Sequence, residues 1–242
     1  MNPAALQILY EDNHIMSVVK PYGILSQGNG SRDEDMLNLI AAFIKERDHK
    51  PGNVFVGLVH RLDRNVGGTM IFAKTSKGAS RLSASMREGA FCKGYFTLTQ
   101  KPLPANSGLL VHTLWKDPRK NQVFQRPDGK LCKLGYRLVG HYGSHYVYFA
   151  VPITGRTHQI RAQFAFSGAP LVGDSKYGTA PAGQGLPIGL WSGVISVPHP
   201  IRREETVLFT SVPEGSPWET NPDILTGIAD FVEKGEFPWN FN

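Results

Sequence analysis

Cysteine is scarce in this chain of 242 residues: there are two, Cys92 and Cys132, too few for a disulfide framework and without the spacing of metal ligands. That usage fits a reduced, intracellular setting. No apolar run is long enough to span a bilayer. The opening Met1-Asn2-Pro3-Ala4-Ala5-Leu6-Gln7 lacks the basic flank and apolar core of a signal peptide, so a cytoplasmic location is expected. Internal repeats and low-complexity tails are also missing. Acidic residues are the smaller charge class, 20 against 26 Lys and Arg, which leaves a net charge of +6. An excess of that size permits a nucleic-acid partner and equally describes an ordinary basic soluble protein.

The hydrophobic content of 41% supports a substantial core in one large domain or two small ones. Short strands are expected at Gln7–Tyr10 and Ile15–Val19, the second broken by Lys20-Pro21-Tyr22-Gly23. Ser31-Arg32-Asp33-Glu34 fits a capping box ahead of a helix whose apolar face is Leu37, Ile40, Ala41 and Ile44. Gly68–Lys74 is strand-like. Thr75 or Ser76 is positioned to cap a helix that carries Leu82 and Met86 and closes at Gly89. Phe91–Gln100 alternates as a strand, and Arg137–Tyr142 with His145–Ile153 forms a hairpin across Gly143-Ser144. One short helix is expected over Arg156–Ser167, a loop over Thr179–Gly189, and strands near Gly193–Val197 and Glu205–Val212. A last helix begins at Asn221-Pro222 and stops at Gly235. Strands outnumber helices and short turns join most of them, so the expected class is α+β, a mixed and mainly antiparallel sheet with flanking helices. A catalytic domain over residues 1–212 and a tail over 213–242, packed on it through its short helix, is the expected division.

The densest chemistry lies in two runs, Val59-His60-Arg61-Leu62-Asp63-Arg64 and Pro152-Ile153-Thr154-Gly155-Arg156-Thr157-His158-Gln159-Ile160-Arg161. Each sets basic residues close together, and the first places an acid among them. In their order, these motifs resemble the RluA family of RNA pseudouridine synthases. Ile8-Leu9-Tyr10-Glu11-Asp12 leading into Lys20-Pro21-Tyr22-Gly23 is similar to the family's opening. Lys93-Gly94-Tyr95 stands where the family carries an active-site tyrosine, and Leu171-Val172-Gly173-Asp174 with Tyr177-Gly178 matches the stretch after the second motif. The likeness spans about residues 7–212. Two places depart from the pattern. Val66-Gly67-Gly68 replaces a usual Thr-Ser-Gly, losing two hydroxyls and keeping the glycine, and a family Leu-His-Ala is replaced near Trp191-Ser192. An amino-terminal S4-type module is missing, which would leave RNA selection to the catalytic domain or to a partner.

The resemblance implies isomerisation of uridine within ribosomal or transfer RNA to pseudouridine, with no cofactor or metal; a monomer without a membrane partner is the expected state. Asp63 is then the nucleophile, and a carboxylate suits that role because a covalent intermediate divides one hard step into two. Burial alone favours the neutral acid, and a neighbouring guanidinium reverses that preference. By resemblance Arg161 is that partner, its planar fork suited to two hydrogen bonds. Tyr95 corresponds to the tyrosine that stacks on the target base. Arg61 corresponds to the residue that refills the helix stack when the nucleotide flips out, and a phosphate contact accounts for it equally well. Arg64 and Arg156 are phosphate or structural arginines, and Ile160 lines the substrate side.

His60, beside the substrate, and His158 read as hydrogen-bonding scaffold, since neither has further ligands at metal spacing. Lys116-Asp117-Pro118-Arg119-Lys120, with Lys130 and Lys133, either tracks an RNA backbone or forms a solvated loop. Trp115, Tyr142 and Tyr148 are expected in packing. Two other functions compete: an inactive RNA-binding module of the same shape, and a hydrolase using Asp63 with a histidine base. The second lacks a Gly-x-Ser-x-Gly elbow, a cysteine nucleophile and a metal set.

Overall fold

The computed structural model describes residues 6–28, 30, 33–178, 180, 187–235 and 237–240. In chain order the elements are β1 (Ile8–Glu11), β2 (Ile15–Lys20), α1 (Met36–Arg47), β3 (Gly57–Leu58), β4 (Gly67–Ala73), α2 (Ser76–Arg87), β5 (Cys92–Thr99), β6 (Ser107–Asp117), β7 (Gln122–Gln125), β8 (Lys130–Tyr142), β9 (His145–Pro152), α3 (Gln159–Phe166), β10 (Leu190–Pro198), β11 (Glu205–Phe209) and α4 (Asp223–Glu233). The class is α+β, with mostly antiparallel strands and, among the described residues, four α-helices, as the strand count implied. The chain forms two compact units, Met1–Lys93 with Ser192–Thr210, and Gly94–Trp191 with Ser211–Asn242.

In the first unit β2 pairs antiparallel with both β1 and β4, β3 adds to β4, and β10 pairs with β11. All six residues of β2 and all seven of β4 are buried, so neither strand has a solvent-facing set, and the polar Ser17, Lys20 and Thr69 are enclosed with the apolar residues. Ile15, Ile71, Ala73, Leu82, Phe91, Ile195, Val197 and Leu208 form one core cluster. Both helices start on side-chain caps. Thr75 Oγ1 accepts from Gly78 N at 3.1 Å, and Asp35 Oδ1 accepts from Asn38 N at 3.1 Å. Ser31 and Arg32 of the expected capping box lie outside the described residues, and Asp35 is the cap.

A polar clasp fastens the β1–β2 turn to the β10–β11 turn within this unit. The Asp12 carboxylate accepts from His14 N, Ile15 N, Tyr10 Oη and His199 Nε2 at 2.7–3.0 Å. His199 Nδ1 accepts from Ile201 N and Arg202 N, so the ring proton sits on Nε2 and points at Asp12.

In the second unit the strand order is β5-β9-β8-β6-β7, all antiparallel. The hairpin across Gly143-Ser144 is present and longer than expected, because β8 begins at Lys130. Helix α3 covers one face, where Leu114, Val123, Cys132 and Ala162 pack together. α3 starts at Gln159 rather than Arg156, because His158 adopts a left-handed backbone (φ +52) and turns the chain just before it. α4 carries Phe231 onto Phe149 and Phe96, and Phe237 and Trp239 of the following segment also pack on Phe149. Asn221 Oδ1 accepts from Asp223 N at 2.9 Å at its start. The expected loop over Thr179–Gly189 lies largely outside the described residues.

Candidate active site

In the first unit the run Val59–Arg64 leaves β3 as an extended loop, and almost every residue of it is tied down. His60 is buried, and its Nε2 accepts from Ile71 N on β4 at 3.1 Å. That bond places the ring proton on Nδ1, a buried atom without a hydrogen-bond partner. Burial, with a smaller push from Lys93, drives the His60 pKa down to about 3, so the ring is neutral at physiological pH and its one lone pair is occupied. At 6% exposure, with its lone pair taken by a backbone N–H, it is placed as a scaffold would be, and the substrate-facing position the motif suggested is not evident in this geometry.

Two residues further on, Ser26 grips Leu62 from both sides. Its hydroxyl donates to the Leu62 carbonyl at 2.8 Å and accepts from the Leu62 N–H at 2.9 Å. Asp63 O accepts from Val66 N, and Arg64 O accepts from Gly23 N at 2.8 Å. The result presents Asp63 half-buried between the exposed side chains of Arg61 and Arg64. Arg64 also reaches back, Nε to Gly23 O at 2.9 Å and Nη1 to Asp33 at 3.3 Å, which is a structural use of that arginine.

Under this loop lies Lys20, a residue that sequence reasoning passed over as part of a strand-ending tetrapeptide. It is fully buried, and its ammonium donates to Pro21 O at 2.9 Å and Arg64 O at 3.3 Å. Desolvation pulls its pKa down to about 7, against the attraction of the Asp63 carboxylate, which works to raise it. A buried lysine answering to Asp63 is thus part of this site.

The glycine retained after Val66-Gly67 has a steric cause. Gly68 has φ +119, and a Cβ there would lie 2.3 Å from the Ser192 carbonyl oxygen. Ser192, in the replaced stretch, also donates from Oγ to Thr69 O at 3.0 Å, which ties it to β4.

The second unit holds Tyr95, Arg156, Ile160 and Arg161. Tyr95 sits on β5 opposite Ala150 and is 6% exposed. Its neighbour Gly94 leaves room for the Phe149 ring, 2.0 Å from where a Cβ would be. The second motif folds through its own side chains. Gln159 Oε1 accepts from Thr154 Oγ1 and Arg156 N, while its Nε2 donates to Lys133 O. His158 Nδ1 pairs with the Tyr177 hydroxyl at 2.8 Å, and that hydroxyl accepts from Val123 N. His158 is thus engaged in a side-chain hydrogen bond within the fold, the kind of contact a scaffold histidine makes. Arg156 is exposed, while Ile160 is buried.

Arg161, 6% exposed, is held by Asp174: Nε to Oδ2 at 2.8 Å and Nη2 to Oδ1 at 2.9 Å. Its guanidinium carbon lies 5.3 Å from the Tyr177 ring centroid. Burial pushes the Asp174 pKa up, but Arg161 and the N–H groups of Lys176 and Tyr177 outweigh it and hold the carboxyl below its usual range. The sequence marks Asp174 and Tyr177 only as matching residues, and their contacts become visible in the turn through Gly173 (φ +75). Among the described residues no group of three or more His, Cys, Asp or Glu is placed to hold a metal, and no helix is long and apolar enough to cross a membrane.

This fold is that of the pseudouridine synthases. The human RNA Pseudouridylate Synthase Domain Containing 1 structure superposes with a TM-score of 0.72 at 18% identity, over 97% of this chain and 96% of that one. Residues 14–166 match the family model for RNA pseudouridylate synthase, and the chain belongs to that family, in its RluA type. Among curated relatives, it is 30% identical over 171 residues to the ribosomal large subunit pseudouridine synthase C of Vibrio vulnificus, covering 71% of this chain and 52% of that one. It is 31% identical over 177 residues to the ribosomal large subunit pseudouridine synthase D of Yersinia pestis, covering 73% and 54%. The chain thus spans about half the length of these relatives.

Proposed function

We propose that the protein isomerises uridine to pseudouridine within ribosomal RNA, with Asp63 as the nucleophile, Arg161 as its cationic partner and Tyr95 against the target base. The observation that carries this reading is the tethered loop. Ser26, Lys20 and His60 together hold the backbone of residues 60–64 so that one half-buried carboxylate stands between two exposed arginines. A preorganised carboxylate beside cations suits attack on an RNA substrate, because the cations draw in the phosphates and the carboxylate is already held in place.

In the proposed reaction the N1–C1′ bond breaks, the base turns, C5 bonds to C1′, and the C5 proton leaves to solvent. Asp63 adds at the sugar or the base, or assists elimination at the sugar, and is restored at the end, so no redox partner is consumed. Arg61 fills the space left by the flipped nucleotide or holds a phosphate. Ribosomal RNA is favoured over transfer RNA by the names of the relatives. The deciding experiment is tritium release from RNA labelled at uridine C5, comparing wild type with Asp63→Asn and Arg161→Met. Loss of release with RNA binding retained supports the reading. Full release from Asp63→Asn removes that residue from the chemistry, and full turnover by Arg161→Met removes the pairing.

A further inference from the structure

The sheet of the second unit has one face under α3 and another, farther out, that is open at its β6–β7–β8 end. Register fixes which side chains share the open face: Leu109, Val111, Thr113 and Trp115 on β6, Phe124 on β7 opposite Trp115, and Leu131 and Lys133 on β8 opposite Thr113 and Val111. The alternate residues Leu110, Leu114, Cys132 and Leu134 are buried on the α3 side. On the open face Val111 is 48% and Leu131 53% exposed. Trp115, expected from the sequence to be a packing residue, is only partly covered there.

Cations gather around these rings. The Arg126 guanidinium stands 4.6 Å from the Trp115 ring centroid, steadied by a two-pronged bond to Asp128, and the Lys120 ammonium stands 5.8 Å from the Phe124 ring. From Lys116 to Lys133 six basic side chains face two acidic ones, so this segment holds four of the chain's six net positive charges. Trp115 and Phe124 are cross-strand neighbours, ring centroids 6.5 Å apart.

We propose that this outer face binds an unpaired segment of the substrate RNA, its bases stacking on Trp115 and Phe124 and its phosphates meeting Lys120, Arg126 and Lys133. The proposal rests on the RNA-substrate reading above and adds a second contact surface to it. A flat sheet with adjacent aromatic rings and a basic rim is suited to splayed bases, whereas an A-form duplex keeps its bases stacked inside. The charge selects the occupant: a polyanion complements this rim, and a second copy of this chain would bring the same positive charge against it.

The test is fluorescence anisotropy on the full chain, with an unstructured RNA of about 20 nucleotides and a duplex of the same length. Trp115→Ala with Phe124→Ala is expected to weaken single-strand binding by about tenfold or more, and duplex binding far less. Should that pair fail to fold by circular dichroism, the variant Lys120→Gln, Arg126→Gln, Lys133→Gln decides. Its slope of log affinity against log salt is expected to fall by about 2 on single strands. Photocrosslinks from 5-iodouridine RNA are expected at Trp115 or Phe124. Unchanged affinity and slope in folded variants overturn the proposal, as do crosslinks confined to other residues. A concentration-dependent dimer dispersed by Leu131→Lys assigns the face to self-association and overturns it too. Binding is read without turnover, so wild-type protein that forms no pseudouridine counts against the enzymatic reading alone, and intact turnover with an inert outer face counts against this one alone.

Discussion

Arg161 is clamped to Asp174 by two parallel hydrogen bonds, in a pair whose guanidinium is 7% exposed and whose carboxylate is fully buried. The clamp fixes the direction of an arginine proposed to serve Asp63, and it makes Asp174 a positioning residue.

Removing one member of a buried pair strands the other. Asp174→Ala is therefore expected to lower unfolding free energy by about 3–5 kcal/mol, read from urea denaturation. Asp174→Asn keeps an oxygen for the Lys176 and Tyr177 N–H groups and is expected to cost less, while still slowing turnover. A loss under about 1 kcal/mol for the alanine variant would contradict the clamp as described.

The motifs themselves are legible: the runs around Asp63 and Arg161, with Lys93-Gly94-Tyr95, resemble the family's in their order, and the strand-rich α+β class follows from alternation and turns. The supports were not. Asp174 becomes a clamp only because Gly173 turns left-handed and brings it under α3. Lys20 closes a strand, a place where lysines are ordinarily solvated, and nothing local signals a fully buried ammonium. Alternation along β6 separates its two faces without saying which one a helix will cover, so Trp115 was assigned to packing. The start of α3 was missed because a left-handed His158 is a tertiary compromise, held by its bond to Tyr177.

Lys20 carries a pH signature. Its folded pKa is about 7 against an ordinary 10.5. Between those values the unfolded chain binds more protons, so this group adds stability as pH rises from 7 toward 10.5. Comparing urea midpoints at pH 6.5 and 9, wild type is expected to gain roughly 1–3 kcal/mol more than Lys20→Met over that interval. Equal gains would show that the ammonium is not suppressed by burial. Loss of the two carbonyl contacts is also expected to loosen the Asp63–Arg64 backbone and lower turnover at all pH values.

Gly68→Ala tests the steric origin of the retained glycine. A methyl group 2.3 Å from the Ser192 carbonyl, on a backbone at φ +119, forces either β4 or β10 to move. A destabilisation of roughly 2–4 kcal/mol and a lowered melting temperature are expected. Gly155→Ala, where a Cβ meets nothing within 4 Å, is the control and should be close to neutral in stability.

His60 sets the acid side. Its folded pKa of about 3 lies below the ordinary 6.5, so the unfolded chain binds the extra proton between those values. The neutral ring's stabilisation is complete above pH 6.5 and drains away as pH falls toward 3. His60→Gln can still offer an amide oxygen to Ile71 N–H but has no proton to take up. Its stability is therefore expected to fall less than that of wild type between pH 7 and 4, by urea denaturation at each pH. Asp12 serves as an internal comparison. Burial pushes its pKa up, and the N–H groups of His14 and Ile15, with His199 and Tyr10, bring it down to about 2, so its loss falls at lower pH, between 3.8 and 2. A His60→Gln profile parallel to wild type from pH 7 to 4 would mean that the histidine is not held neutral, and would reopen its candidacy as a base beside Asp63.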